Sequence, residues 1–454
     1  DIIVMKIKTL LLSGAILGAA VTGQAQQWTI DTLHTGTGYL NNVYYSLENG
    51  SAKESAADNW HLAFSTARMS ASILTNSADK GCKLYALDGD TTDFGTDLTV
   101  ALATAITNEP MPLYNSNITW DVGAFNQNIG SGSMDYGWGE YNMNTHLITG
   151  TSIYALITST DTFQIYISVK DGLSATTNAP VYVFKYAQLD GTAQVTKKLE
   201  AGVAAYTGQN FVYYNIETDQ FLSREPKGTD WDFVFTNYND EAVVMGNSLY
   251  KVFGILLNAN TELSHYSVAE FASNDTLDHT KLSLEYSDTI NAFGYNKWKN
   301  AGMSGAVAFD TVSWFVKVQN GDIWQVVYTD FVSGSASVTV NPGMVVLQKR
   351  KVYEAPVDTT ESINDLNVNI NALVVAPNPA VNGTTNLVID AKTTVNNVSL
   401  QIVDINGRVV NAAAMQIRQG FNQYPVQVQH LNTGLYFIRL EGEGVYQTVK
   451  FIKE

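Results

Sequence analysis

The chain repeats itself, and the repeat limits what it can fold into. Val43-Tyr44-Tyr45-Ser46-Leu47-Glu48 returns as Val212-Tyr213-Tyr214-Asn215-Ile216-Glu217. Trp60-His61-Leu62-Ala63-Phe64 returns as Trp231-Asp232-Phe233-Val234-Phe235, with two extra residues in the second spacer. Residues 152–157 through Gln164-Ile165 then align without a gap on residues 313–318 through Gln325-Val326. Three matches in one order define two copies of a unit of roughly 160 residues. We place the copies at 26–193 and 194–353.

The matched segments carry strand chemistry: β-branched and aromatic residues bounded by Gly, Asn and Asp. Asn320-Gly321-Asp322 is a hairpin signal, because Gly accepts the positive φ that a tight turn requires. Helical periodicity is weak, apart from a short stretch near Asp97 to Thr107. The fold class expected is all-β: two tandem β domains followed by a small C-terminal β-sandwich.

Composition excludes several functions. Of 454 residues, 43 are acidic and 26 basic, a net charge of −17. That offers no basic footprint for nucleic acid. The 24 Tyr, 18 Phe and 8 Trp are ample for cores, so most of the chain is not disordered. One cysteine, Cys82, rules out an internal disulfide framework and a Cys-rich metal site. Its place at the start of a strand suggests a buried thiol.

Residues 1–25 read as a secretory signal. Lys6 and Lys8 precede an apolar stretch from Leu10 to Val21, and Gly23-Gln24-Ala25 forms a small-x-small cleavage site. Residues 1–4 read as an overrun upstream of a start at Met5. The apolar stretch is too short to span a bilayer, and no later run is long enough for a transmembrane helix. A polar, acidic linker is expected at 354–370, with Pro356, Asp358, Glu361 and Asp365. Evenly spaced short strands follow at 371–454.

That last segment contains Ala376-Pro377-Asn378-Pro379, Val403-Asp404-Ile405-Asn406-Gly407-Arg408, Leu431-Asn432-Thr433-Gly434-Leu435-Tyr436-Phe437 and a closing Lys450-Phe451-Ile452-Lys453. It resembles the type A C-terminal sorting domain of the type IX secretion system of Bacteroidetes. The resemblance implies passage across the outer membrane, engagement of the type IX machinery, tail removal, and attachment to surface glycolipid or release.

The duplicated unit resembles the HmuY family of haem-binding surface proteins. The resemblance is carried by Tyr44-Tyr45-Ser46-Leu47-Glu48 with Asn59-Trp60-His61-Leu62-Ala63-Phe64, by Asp230-Trp231-Asp232-Phe233-Val234-Phe235, and by the hairpin from Trp314 to Asp330. It implies haem as a cofactor, held by His or Met axial ligands in an apolar pocket. The family's later ligand lies a few residues beyond a Trp. Met143 falls five residues past Trp138, and Met303 five past Trp298. His146 is close to Met143, and Met111 stands at about the family's upstream spacing. The candidate haem ligands are therefore Met143, Met303, His146 and Met111, with His265 and His279 further candidates by type alone. Met also fills irregular cores, so the matched spacing reads more readily as an inherited packing site than as a ligand pair. His61 stands where the family has Asp, which favours a hydrogen-bonding structural role.

Other chemistry is thin. The acidic stretch from Asp88 to Asp97 lacks the ligand order of an EF-hand and reads as a solvated turn. No HExxH and no Gly-x-Ser-x-Gly occurs, so no catalytic residue, no metal site and no enzyme activity is expected. Asp-Thr-apolar triplets such as Asp275-Thr276-Leu277 look like the O-glycosylation signal of Bacteroidetes. Two functional readings remain: a surface-directed binding protein that captures haem, and a non-haem adhesin or polysaccharide- or protein-binding module.

Overall fold

The structure, a computed structural model, describes residues 27–129, 134–172, 179–267, 286–300, 307–310, 312–355, 369–380, 383–404, 407–442 and 445–453. The leader at 1–25 and most of the 354–370 linker lie outside the described residues, as do His279, the Asp275 triplet and Met303. The described chain falls into two compact units, one ending at Ala355 and one following it. Both are built of antiparallel sheets, and the α-helix among the described residues is Thr99–Asn108. The fold is all-β.

The larger unit has four main sheets and two main cores. One core lies between a seven-stranded sheet and a four-stranded sheet made of Gln220–Leu222, Phe211–Asn215, Leu62–Ser65 and Ile73–Thr75. The other lies between a five-stranded sheet and a four-stranded sheet made of Ser248–Leu257, Phe233–Met245, Asn41–Ser46 and Gly50–Ala56. The repeated motifs cross between these cores. Asn41–Ser46, from the first copy, pairs with Phe233–Met245 of the second, setting Tyr45 opposite Phe233. Phe211–Asn215, from the second copy, pairs with Leu62–Ser65 of the first, setting Tyr213 opposite Ala63. The halves 26–193 and 194–353 thus each complete the other's core.

Alternation along these strands places both inner sheets. Leu62 and Phe64 enter the first core with Val212 and Tyr214, while Ala63 and Tyr213 point to the opposite face. Val43, Tyr45, Phe233 and Phe235 enter the second core, while Tyr44 and Val234 point away from it. Both faces of each inner sheet are apolar, which is why these segments lack a polar face in sequence. The outward faces form two smaller aromatic clusters, and Trp120 packs against both.

Local signals also have structural causes. Gly321 takes φ +87° in the hairpin at 318–322, closed by Val318 N–H to Asp322 O at 2.9 Å. The helix Thr99–Asn108 turns Leu102 and Ala105 onto Tyr85, Leu87 and Ile153 of the seven-stranded sheet. Asp90 and Asp97 accept hydrogen bonds from Thr92 and Thr99, so the acidic stretch is a run of turns and caps. Cys82 is buried, and burial pushes its thiol up to about 12. The cores hold without disulfides, through packed aromatics such as Phe64 on Phe184 at 4.9 Å.

The smaller unit is a sandwich. A three-stranded sheet from Ile370–Ala376, Thr384–Ala391 and Gly420–Gln427 faces a four-stranded sheet from Val409–Ile417, Val395–Asp404, Gly434–Gly442 and Val445–Lys453. Leu387, Ile389, Ile402, Ile438 and Phe451 fill the space between. Gly407, at φ +79°, donates its N–H to Asp404 O at 3.0 Å.

The crossed strands make a direct prediction. Residues 27–193 and 194–355, produced separately, each lack a strand that their own core requires. Neither should unfold cooperatively by circular dichroism, whereas co-expression should restore one cooperative transition. A fragment that folds alone would refute the exchange.

Candidate functional site

Among the described residues, the haem-ligand candidates Met143, His146 and Met111 are placed apart from the two cavities described below. Met143 lies in the turn after Gly139–Asn142 and is 68% exposed. An axial thioether needs an apolar enclosure, which this turn does not provide. His146, also exposed and at φ +59°, exchanges a hydrogen bond of 2.9 Å with Tyr141 Oη. Met111 is half-buried in the loop after the helix. None of these three lines either cavity described below. Met303 lies outside the described residues, and His265 falls on the strand Glu262–Ser267, opposite Trp314.

His61 and Asp232 do equivalent structural work. His61 is fully buried, and its Nδ1 accepts from Ile216 N–H at 3.2 Å. Asp232 Oδ2 accepts from Leu47 N–H at 2.6 Å. Each satisfies a backbone donor just past the strand supplied by the other copy. Burial lowers the His61 pKa, keeping the ring neutral so that Nδ1 can accept.

A cleft of about 100 Å³ opens between the two inner sheets. The repeat builds it twice over. Trp60 meets Tyr213 edge-on at 5.0 Å, and Trp231 meets Tyr44 edge-on at 5.1 Å. Asn76 Nδ2 donates to Trp60 O at 3.1 Å, and Asn258 Nδ2 donates to Trp231 O at 2.7 Å. At the junction the Tyr44 and Tyr213 hydroxyls lie 3.4 Å apart. Trp120 adds a further ring, its Nε1 donating to Leu257 O at 2.8 Å. A second, polar hollow near Trp120 contains the paired charges Lys317 and Glu262, 2.9 Å apart.

The charged centre of the cleft is Arg224-Glu225, both buried. Glu225 accepts from Phe211 N–H at 2.6 Å and from Tyr213 Oη at 3.1 Å. Tyr213 thereby leaves its oxygen free to accept from Tyr44. Arg224 stacks 4.7 Å from the centre of the Tyr213 ring, and its Nε donates to Asn59 Oδ1 at 2.6 Å. Its Nη1 has no partner, nor do Trp60 Nε1 and Trp231 Nε1. Nothing in the Ser223-Arg224-Glu225-Pro226 sequence marks this pair: it has no periodicity and no motif, and only the fold buries it.

Burial pushes Glu225 up to about 7, against the opposing pull of Phe211 N–H, Tyr213 and Arg224. Its ordinary value is 4.5, so between those limits the unfolded chain ionises while the folded chain keeps its proton. This contribution to stability is complete below pH 4.5, is lost as pH rises through about 7, and is constant above. Glu225→Gln should remove it. The midpoint of thermal unfolding in the wild type, relative to the variant, should fall between those pH values; a pH-independent difference would refute the assignment.

Comparison with known proteins adds one clear finding. Residues 374–454 match the family described as the secretion system C-terminal sorting domain. No curated protein matches the chain. Among solved structures, the chain is similar to dimeric latent PorU from Porphyromonas gingivalis at 13% identity and a TM-score of 0.15. That similarity covers 60% of this chain and only 26% of the PorU chain. The match at 374–454 coincides with the sandwich of the smaller unit. Residues 374–454 are a type IX secretion system C-terminal sorting domain, which directs this protein across the outer membrane to the cell surface or the extracellular space.

Proposed function

We propose that the protein is a surface-delivered, non-catalytic binding module. Its body is a pair of HmuY-like β units that kept the architecture and not the haem ligands. The cleft between the inner sheets is its binding surface, and the sorting domain is its address. One observation carries this reading: an aromatic cleft framed by Trp60, Trp120, Trp231, Tyr44 and Tyr213 opens at the junction of the two copies.

The haem reading lacks a comparable feature. Met143 and His146 stand in an exposed turn, the cleft of about 100 Å³ is below the roughly 300–1,000 Å³ of sites that enclose drug-sized ligands, and the hollow of about 820 Å³ near Trp120 has no Met or His in its lining. A macrocycle has no room in the cleft, whereas a small polar group does.

Two outcomes test this function. Deleting residues 371–454 should leave the protein in the periplasm; surface display of the truncation would refute the tail's role. Screening the full chain against small polar compounds should find one that raises its unfolding temperature. Ala78→Trp, which plugs the cleft from a half-buried lining position, should abolish that rise. An undiminished rise in the variant would place the ligand elsewhere.

A further inference from the structure

We propose that His61 makes one of the two exchange joints between the copies acid-labile, while the equivalent joint at Asp232 tolerates acid. The joints match bond for bond. His61 N–H donates to Tyr214 O at 2.9 Å, Ile216 N–H to His61 Nδ1 at 3.2 Å, and Asn76 N–H to His61 O at 3.0 Å. Asp232 N–H donates to Tyr45 O at 2.8 Å, Leu47 N–H to Asp232 Oδ2 at 2.6 Å, and Asn258 N–H to Asp232 O at 2.8 Å. In each joint the side chain accepts from the backbone just past the strand lent by the other copy. What differs is the chemistry of that acceptor.

A carboxyl and an imidazole respond to a proton in different ways. A carboxyl group that gains a proton keeps an oxygen with lone pairs, so Asp232 can accept from Leu47 N–H in either state. An imidazole that gains a proton carries N–H on both nitrogens and has no acceptor left. Protonated His61 would point Nδ1–H at Ile216 N–H, two donors facing each other. The residue is fully buried, so the lost bond is not replaced by bulk water.

The groups around the ring set the direction of the effect. Glu217 Oε1 lies 3.5 Å from His61 Nε2, but that carboxylate is already held by Lys80 at 2.9 Å and Thr160 at 3.1 Å. Lys80 keeps Glu217 below its ordinary 4.5, so it stays ionised above that value. Cys82, which shares the field of Lys80 and Glu217, is pushed by burial up to about 12 and stays neutral. Burial, with Lys80, holds the His61 ring below 6.5 against the pull of Glu217. The joint's stability is therefore fully present above pH 6.5 and is lost as pH falls from there towards the pKa of the enclosed ring. Neighbouring carboxyls run the other way. Asp232, which faces Lys349 and Glu48, is pushed by burial up to about 6, and Glu225 up to about 7. Both take a proton more readily in the closed fold than in the open chain, so acid favours closure around them. Trp60 precedes His61 and Tyr213 precedes Tyr214, so the acid-labile joint backs the Trp60 wall of the cleft.

The test is hydrogen–deuterium exchange of the full chain, read by mass spectrometry on peptides covering 211–217 and 43–48 at about pH 7.5 and about pH 5.5. Rates are corrected for the intrinsic pH dependence of exchange. Protection of 211–217 should fall on acidification, by up to about tenfold per pH unit below 6.5, while protection of 43–48 holds or rises. His61→Asp installs the acceptor of the other joint, and His61→Asn supplies an oxygen that does not titrate. Either variant should abolish the acid-dependent loss at 211–217 and leave 43–48 as in the wild type. The wild-type comparison of the two joints needs no variant, so it decides even where a substitution weakens folding. Equal acid responses at the two joints would overturn the proposal, as would a loss at 211–217 that persists in both variants. Neither result bears on the cleft as a binding surface, because the joint is a property of the strand exchange alone.

Discussion

Backbone hydrogen bonds between Asn41–Ser46 and Phe233–Met245, and between Phe211–Asn215 and Leu62–Ser65, tie the two halves of the body together. The two cores of the unit ending at Ala355 both depend on this exchange. Because each Tyr-Tyr strand sits in the sheet of the other copy, neither core closes until most of the body has been made. The exchange also sets the two inner sheets back to back, since their outward faces carry Tyr44 and Val234 on one side and Ala63 and Tyr213 on the other.

The cleft is a product of that arrangement. A sheet face that met water would carry polar residues at these positions. Here two related faces meet with Trp60 and Trp231 held by equivalent asparagines, and the gap is bridged at the Tyr44 and Tyr213 hydroxyls. Divergence since the duplication shows in how the copies solve the same problem. His61 and Asp232 each accept one backbone N–H, the first as a neutral ring and the second as a carboxyl whose pKa burial raises to about 6. The Arg224-Glu225 pair makes the cleft asymmetric in charge although its aromatic frame is paired.

Much of the fold was legible in the chain. The duplication, the strand segments, the Gly321 hairpin, the short helix and the sandwich after the linker all rest on local chemistry, which does not depend on partners. Cys82 and His61 were also readable, because a thiol opening an apolar strand and a His beside a core Trp have few other places to go. The candidate site was not legible. Spacing drew attention to Met143 and His146, but spacing carries no information on which side of the sheet a turn lies. Arg224 and Glu225 look like any exposed pair until Phe211 and Tyr213 are folded over them.

The sequence by itself determined the address and the class. The sorting motifs, the β periodicity and the repeat are short-range patterns, and each acts through a few consecutive residues. Only the tertiary structure decided which copy completes which core, because strands such as Asn41–Ser46 and Phe211–Asn215 are nearly interchangeable in chemistry and either could pair locally. Their choice depends on burial of both faces at once, a property of the assembled sheets. The same choice created the cleft, by bringing together Trp60 and Trp231 from the two copies around donors that the chain alone leaves unpaired.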